Sequence, residues 1–251
     1  KIPNNINVVF HLAAQVSNEA SYKDPSLDLK ANVFSTLLLL EWAKTTNVQN
    51  FVFTSTMGVY QDSLGYAVVE DSPKLPRGFY GINKLACEEY IRIFSEEGMK
   101  TNILRLFNVY GPGQNMNDLQ QGMLSIYMSF IWREQELEVK GPLERIRDFL
   151  FIDDAVEALL LCGFSEKEGA TYNISTNRAS NIGDTVSLIK EAFGVKENYP
   201  TKILARTPRD IDAIYGNYSK ILNDLSWQPR VGLEEGIQRM VDWLKQTSHQ
   251  R

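Results

Sequence analysis

The sequence predicts a doubly wound, parallel α/β sheet, and three features carry that expectation. Short, uninterrupted apolar runs occur at Ile6–Leu12, Asn50–Thr56 and Thr101–Phe107, the pattern of strands buried on both faces. Helical periodicity fills the intervals between them, the alternation that builds a parallel sheet with helices on its faces. Each run also ends in small or polar side chains: Ala13 and Ala14, the hydroxyls of Thr54 to Thr56, and Asn108. Open parallel sheets bind ligands beyond the carboxyl ends of their strands, so these residues are expected to line one crevice.

Taken in order, the first strand is followed by a polar loop and a helix predicted over Pro25 to Thr46. Leu29, Val33, Leu37, Leu40 and Ala43 recur in it at helical spacing and are expected to face inward. Residues 61–79 contain Gly65, Pro73, Pro76 and Gly78 and read as a loop. The next helix begins near Tyr80 and runs to about Glu97, with Gly98 as its stop. Beyond Gly113 the texture changes. A helix around Met123 to Arg133 precedes a short strand at Leu137–Val139, and the apolar run Phe149–Ile152 leads to Asp153 and Asp154, read as caps of a helix from Ala155 to Gly163. A strand at Thr171–Ile174, a helix at Asn181–Phe193, the segment Tyr218–Leu225 and a final helix at Leu233–Lys245 complete the chain. The carboxyl half is expected to form a smaller lobe that closes over the crevice.

Composition removes several classes of function. With 43% hydrophobic and 23% charged residues the chain is an ordinary globular protein, large enough for a substantial core. Its net charge of -5 argues against a general nucleic-acid binder, whose phosphate contacts need a basic surface. No apolar run approaches the roughly 20 residues of a membrane span; Leu37–Leu40 is hemmed in by Asn32, Glu41 and Lys44. Cys87 and Cys162 lie far apart in helical segments and read as buried free thiols, which suits a reducing compartment. Only His11 and His249 are present and cysteines are not clustered, so no metal site is expected. The chain starts Lys1-Ile2-Pro3 and moves directly into a strand, without the pattern of a secretory leader, and a cytoplasmic location is expected.

Tyr80 and Lys84 stand four residues apart at the start of a helix, so their side chains share one face. An ammonium held beside a phenol stabilises the phenolate and brings its pKa down from about 10, which makes a proton acceptor usable near neutrality. Other motifs stand around this pair in a fixed order. They are His11-Leu12-Ala13-Ala14, Lys30-Ala31-Asn32-Val33, Thr54-Ser55-Thr56-Met57-Gly58-Val59-Tyr60, Arg105-Leu106-Phe107-Asn108-Val109-Tyr110-Gly111-Pro112-Gly113 and Arg147-Asp148-Phe149-Leu150-Phe151-Ile152-Asp153-Asp154. Together with Tyr80-x-x-x-Lys84 they resemble the extended short-chain dehydrogenase/reductases of the NAD-dependent nucleotide-sugar epimerase/dehydratase family, over nearly the whole chain.

The resemblance implies a Rossmann-type dinucleotide-binding domain, partial in this chain, from residues 1–108 plus about 147–175. It implies a nucleotide-sugar-binding lobe from about 109–146 plus 176–251. Tyr80 takes or returns a hydroxyl proton in this scheme, Lys84 tunes it and contacts the nicotinamide ribose, and Thr56 hydrogen-bonds the same substrate oxygen. Ala13, Ala14, Thr54 and Asn32 are expected on the NAD side, with Asn32 also able to serve as a buried bridge between helix and strand. Asn108, Arg147, Arg206 and Arg209 are expected to hold the sugar diphosphate, arginine forks being suited to phosphate oxygens. A homodimer through the helices at about 27–46 and 80–97 is implied as well.

Two departures sharpen this expectation. The family's Gly-rich turn, which seats the dinucleotide pyrophosphate at a helix N-terminus, does not occur in the 251 residues. The equivalent of two βα units, on the order of 60 to 70 residues, is missing by comparison with the family, so the chain reads as part of a longer protein. Dehydratases of the family place an Asp-Glu pair after the catalytic Thr, whereas Met57 and Gly58 stand here and can neither donate nor accept a proton. That favours a 4-epimerase, with an NAD(P)-dependent reductase or a 4,6-dehydratase as the enzymatic alternatives and an inactive binding module as the non-enzymatic one.

Overall fold

The computed structural model describes residues 5–63, 65–207 and 209–248. Its elements are β1 (Val8–His11), α1 (Asn18–Lys23), α2 (Pro25–Leu29), α3 (Ser35–Thr45), β2 (Asn50–Thr56), α4 (Phe79–Glu96), β3 (Thr101–Leu106), β4 (Val109–Tyr110) and α5 (Met123–Trp132). There follow β5 (Leu137–Lys140), β6 (Ile146–Arg147), β7 (Leu150–Phe151), α6 (Ile152–Phe164), β8 (Ala170–Ile174), β9 (Ser180–Asn181), α7 (Ile182–Phe193), β10 (Thr201–Leu204), α8 (Ser219–Leu225) and α9 (Leu233–Ser248).

The central sheet has the order β1-β2-β3-β8 and is parallel throughout, with Phe10 opposite Val52, Phe53 opposite Ile103 and Leu104 opposite Tyr172. The doubly wound parallel architecture read from the apolar runs is therefore present. Period-2 alternation sends neighbouring residues of one strand into different cores. Phe51, Phe53 and Ile103 pack with Leu40, Ala43, Cys87 and Ile91 beneath α3 and α4. Val52, Leu104, Tyr172 and Ile174 pack with Ala155, Ala158, Cys162 and Trp227 on the opposite face. A separate core gathers Leu124, Tyr127, Met128, Leu137, Val139, Ile182, Ile189 and Met240. β7 joins the two regions, because Leu150 enters the sheet core while Phe149 and Phe151 enter the separate one.

The long helix expected over Pro25–Thr46 is interrupted by a widened π-helical turn at Lys30–Phe34. Hydroxyls feed back onto the backbone there, Ser35 Oγ to the Ala31 carbonyl at 2.5 Å and Thr36 Oγ1 to the Asn32 carbonyl at 2.6 Å, which competes with regular helix bonding. Of the residues expected to face inward, Leu40 and Ala43 are buried, whereas Leu29 is exposed. Helix α6 begins at Ile152 rather than Ala155, and its N-cap is Phe151, which offers no capping side chain. Asp154 is not a cap: its carboxylate accepts from the backbone N–H groups of Arg230 and Val231 at 3.0 and 3.1 Å and anchors the C-terminal segment. Asp153 faces Arg239 at 3.5 Å.

A buried polar network clamps α4 to the sheet. Arg105 on β3 and Glu88 on α4 are 3% and 4% exposed and form a charged pair, with Nη2 and Oε2 2.7 Å apart. Ser55 donates to Glu88 at 2.5 Å, and Arg105 donates to Tyr60 Oη at 2.7 Å and to the Glu70 carbonyl at 2.8 Å. Removing one partner of such a pair strands a charge in the core, at a cost of about 3–5 kcal/mol. Glu88→Ala is accordingly expected to lower the unfolding free energy by about that amount in urea titrations, and a loss below about 1 kcal/mol would show the network to be energetically idle.

Candidate active site

The site starts where β2 ends. Thr56 leaves the strand extended, and its Oγ1 accepts the Gly58 N–H at 3.1 Å, capping a single 3₁₀ turn at Met57–Val59. That turn lies directly on α4. A Cβ built at Gly81 runs into the Gly58 carbonyl oxygen, so only glycine permits the approach. The contact sets Tyr80, the preceding residue, beside Thr56, whose side chain hydrogen-bonds the phenol.

One turn further along α4, Lys84 is 2% exposed. Its Nζ donates to the Thr54 carbonyl at 2.8 Å and lies 4.5 Å from the Phe53 ring centroid and 5.9 Å from that of Tyr80. The expected depression of the Tyr80 pKa by Lys84 is absent in this state. Burial raises the phenol well above its ordinary value, and the Asp28 carboxylate raises it further, against the hydrogen bond from Thr56. Burial likewise lowers Lys84 to about 8, although Cys87, Asp28 and Glu88 favour its charged form. His11, packed on Phe51 and Phe53 and hydrogen-bonded to Thr36 Oγ1 at 2.8 Å, is lowered to about 4 by burial and is neutral near pH 7.

Thr56, Tyr80 and Asn108 open into a cavity of about 530 Å³ that Arg147 and Arg209 also line, a volume typical of small-molecule sites. Asn108 Nδ2 donates to the Asp148 carbonyl at 2.7 Å. The Asp148 carboxylate, fully buried, collects Thr176 N at 2.9 Å, Thr176 Oγ1 at 2.6 Å, Asn177 N at 3.1 Å and Gly216 N at 3.2 Å. Burial still raises it to about 6. Asp148 thus ties three loops together behind the cavity.

Arg147 donates to Asp210 Oδ1 and to the Ile211 carbonyl, both at 2.7 Å, and to the Ile146 carbonyl at 2.8 Å. Arg145 donates to the other oxygen of Asp210 at 2.5 Å and also to the Lys140 carbonyl. Sequence reading missed Arg145 and Asp210; the i,i+2 spacing of Arg145 and Arg147, residues that extended backbone puts on one face, was the available signal. Arg209 is exposed, adopts a left-handed backbone (φ 60°) and donates to the Arg77 carbonyl at 3.2 Å. Arg206 is not among the cavity's lining residues; it is exposed and paired with Asp212.

The residues expected on the cofactor side lie outside the cavity lining. Ala13 is exposed and Ala14 half-buried beyond the end of β1, and Thr54 Oγ1 donates to the His11 carbonyl at 3.2 Å. Asn32 acts as a bridge: it accepts from Gln15 N and donates to Gln15 O, each at 2.9 Å, and reaches Asp28 at 3.1 Å. Of the donors on this side, Lys84 is the one that fits the nicotinamide ribose of NAD, since Thr54 and Asn32 spend theirs within the protein. The Lys84 ammonium has three N–H donors and spends one on Thr54, which leaves it able to bind a diol. The pyrophosphate has no Gly-rich cradle among the 251 residues.

Lys84 gives the site a pH signature. Between about 8 and its ordinary 10.5 the unfolded chain carries a proton that the folded chain has released. Stability therefore rises with pH across that window, by up to about 3 kcal/mol. Denaturant titrations of wild type and Lys84→Met at pH 7.5, 9 and 10.5 should show the difference shifting towards wild type as pH rises; a pH-independent difference would mean that the buried amine is not proton-linked.

Comparison with known proteins places this geometry. Residues 2–175 match the NAD dependent epimerase/dehydratase family. A putative UDP-glucose 4-epimerase of Methanocaldococcus jannaschii is 30% identical over 245 residues, covering 96% of this chain and 78% of that protein. Human dTDP-D-glucose 4,6-dehydratase is 30% identical over 251 residues, covering 97% and 70%. The crystal structure of UDP-glucuronic acid 4-epimerase from Bacillus cereus, in complex with UDP-glucuronic acid and NAD, superposes with a TM-score of 0.89 at 28% identity, covering 97% of this chain and 76% of that one. The chain belongs to the NAD dependent epimerase/dehydratase family, whose members include nucleotide-sugar epimerases and dehydratases.

Proposed function

We propose that this chain forms the catalytic body of a nucleotide-sugar 4-epimerase. The observation that supports this reading best is the chemistry of the cavity around Tyr80. Among the described lining residues the carboxylates are Glu19, Glu138 and Asp210. Asp210 is held between Arg145 and Arg147. Glu138 belongs to β5, and Glu19 to α1, where it faces Lys140. Beside Thr56 stand Met57, whose sulfur is 3.4 Å from Asn108 Nδ2, and Gly58. Elimination of water needs an acid and a base next to the sugar, and neither of these residues can exchange a proton.

The remaining groups suffice for epimerisation at a carbinol carbon. Bound NAD supplies the acceptor and donor of hydride. Tyr80 removes the sugar hydroxyl proton and returns it after the keto sugar has turned over, while Thr56 hydrogen-bonds the same oxygen. Lys84, packed against the Tyr80 ring, orients the phenol and holds the nicotinamide ribose. Arg147 engages three of its five N–H donors within the protein and offers the rest, with Arg145 and Arg209, to the diphosphate. Exposed apolar side chains, Leu27, Phe34 and Leu38 on the run from α2 to α3 and Ile82, Tyr90 and Ile93 on α4, favour a homodimer through these helices. Cys87 and Cys162, both buried free thiols, suit a reducing compartment.

Two outcomes test this reading. Tyr80→Phe in the intact protein should cut turnover of UDP- or dTDP-sugars at least about 100-fold with little change in substrate binding, and turnover near the wild-type rate defeats the assignment. Titrated calorimetrically, the 251 residues alone should take up NAD weakly, since they lack the cradle that binds its pyrophosphate; tight uptake would show that other donors hold it.

A further inference from the structure

β5 carries an acidic side chain that neither the proposed chemistry nor the fold uses. Leu137 and Val139 point into the core, so Glu138 and Lys140 alternate to the opposite side and both line the cavity. Among the described residues the Glu138 carboxylate has no hydrogen-bond or ion-pair partner, and its register neighbour on β10, Lys202, makes none with it. Glu138 is therefore a half-buried carboxylate that faces the cavity with its acceptor oxygens free for an entering group.

What enters follows from the order of groups in a nucleotide sugar, and the inference rests on that reading. With the sugar at Thr56 and Tyr80, the diphosphate lies along Arg147 and Arg145. Arg145 in turn is bonded to the Lys140 carbonyl, so the nucleoside that follows, ribose and then base, runs towards β5, where Glu138 and Lys140 face the cavity. Phe130, only half-buried, lines the cavity and offers a ring surface for a planar base.

We propose that Glu138 reads the base and selects guanine, which makes the substrate a guanosine diphosphate sugar. The guanine edge presents two adjacent donors, N1–H and the N2 amino group, which a carboxylate accepts as a bidentate pair; O6 beside them is an acceptor for a cation such as Lys140. Uracil and thymine offer a single N3–H flanked by two carbonyl oxygens, which a carboxylate repels. Cytosine offers its amino group but no second donor beside it.

Calorimetric titration of the intact protein with GDP, UDP and CDP tests this, in wild type and in Glu138→Gln. GDP should bind at least about tenfold more tightly than UDP or CDP to wild type. In Glu138→Gln, GDP affinity should fall about tenfold while UDP affinity holds or improves, a crossing that loss of structure cannot produce. Equal or tighter binding of UDP or CDP to wild type overturns the guanine assignment and leaves the nucleotide-sugar reading standing, as does equal weakening of all three by the substitution. Failure of all three to bind overturns both.

Discussion

The structure depends on how α4 is pressed against β2 and β3. Three residues of one helical face, Tyr80, Lys84 and Glu88, engage three successive features of the sheet: the Thr56 hydroxyl, the Thr54 carbonyl and the Arg105 guanidinium. The Gly58–Gly81 approach removes the side-chain volume that would hold helix and turn apart. With both contacts in place the phenol sits at the carboxyl edge of the sheet without a loop of its own to position it. Catalytic geometry is more exact when carried on packed elements than on loops, and here the same buried network that stabilises the helix also aims the tyrosine.

That arrangement also explains why much of the site was legible in the sequence. Buried parallel strands are nearly continuous apolar runs, and small or polar residues mark their ends, so β1 to β3, Thr56 and Asn108 could be placed from pattern, whereas Tyr80 needed the family resemblance beside its spacing to Lys84. The reading went astray where side chains override local pattern. Asp153 and Asp154 looked like caps because acidic residues at helix starts commonly are, yet Asp154 is spent on the backbone of Arg230 and Val231, contacts that lie far along the chain. The widened turn at Lys30–Phe34 has no glycine or proline to announce it. The burial of Tyr80 escaped the sequence for a different reason. Spacing puts Lys84 on the correct face, but it says nothing of the desolvation that raises the phenol or of Asp28, which arrives from another helix.

The cavity wall at Arg145, Arg147 and Asp210 shows how like charges are held together. Arg145 and Arg147 approach one another with Asp210 between them, so two guanidinium groups are held close by one carboxylate. The carboxylate neutralises part of their repulsion and orients both forks through separate oxygens, which presents donors at low cost in side-chain entropy. Asp148 performs the analogous task for the backbone, gathering three N–H groups and a hydroxyl while its carbonyl fixes Asn108.

In the proposed function the relay of Thr56, Tyr80 and Lys84 serves removal and return of one hydride rather than elimination of water. It is tested most directly by running the intact protein, supplied with NAD and UDP-, dTDP- or GDP-glucose, in deuterium oxide and reading the products by mass spectrometry and proton NMR. Epimerisation returns the substrate's own hydrogen to carbon, so a 4-epimer free of carbon-bound deuterium is predicted. A 4-keto-6-deoxy sugar carrying deuterium at C5 would contradict it, because only dehydration exposes that carbon to a solvent proton.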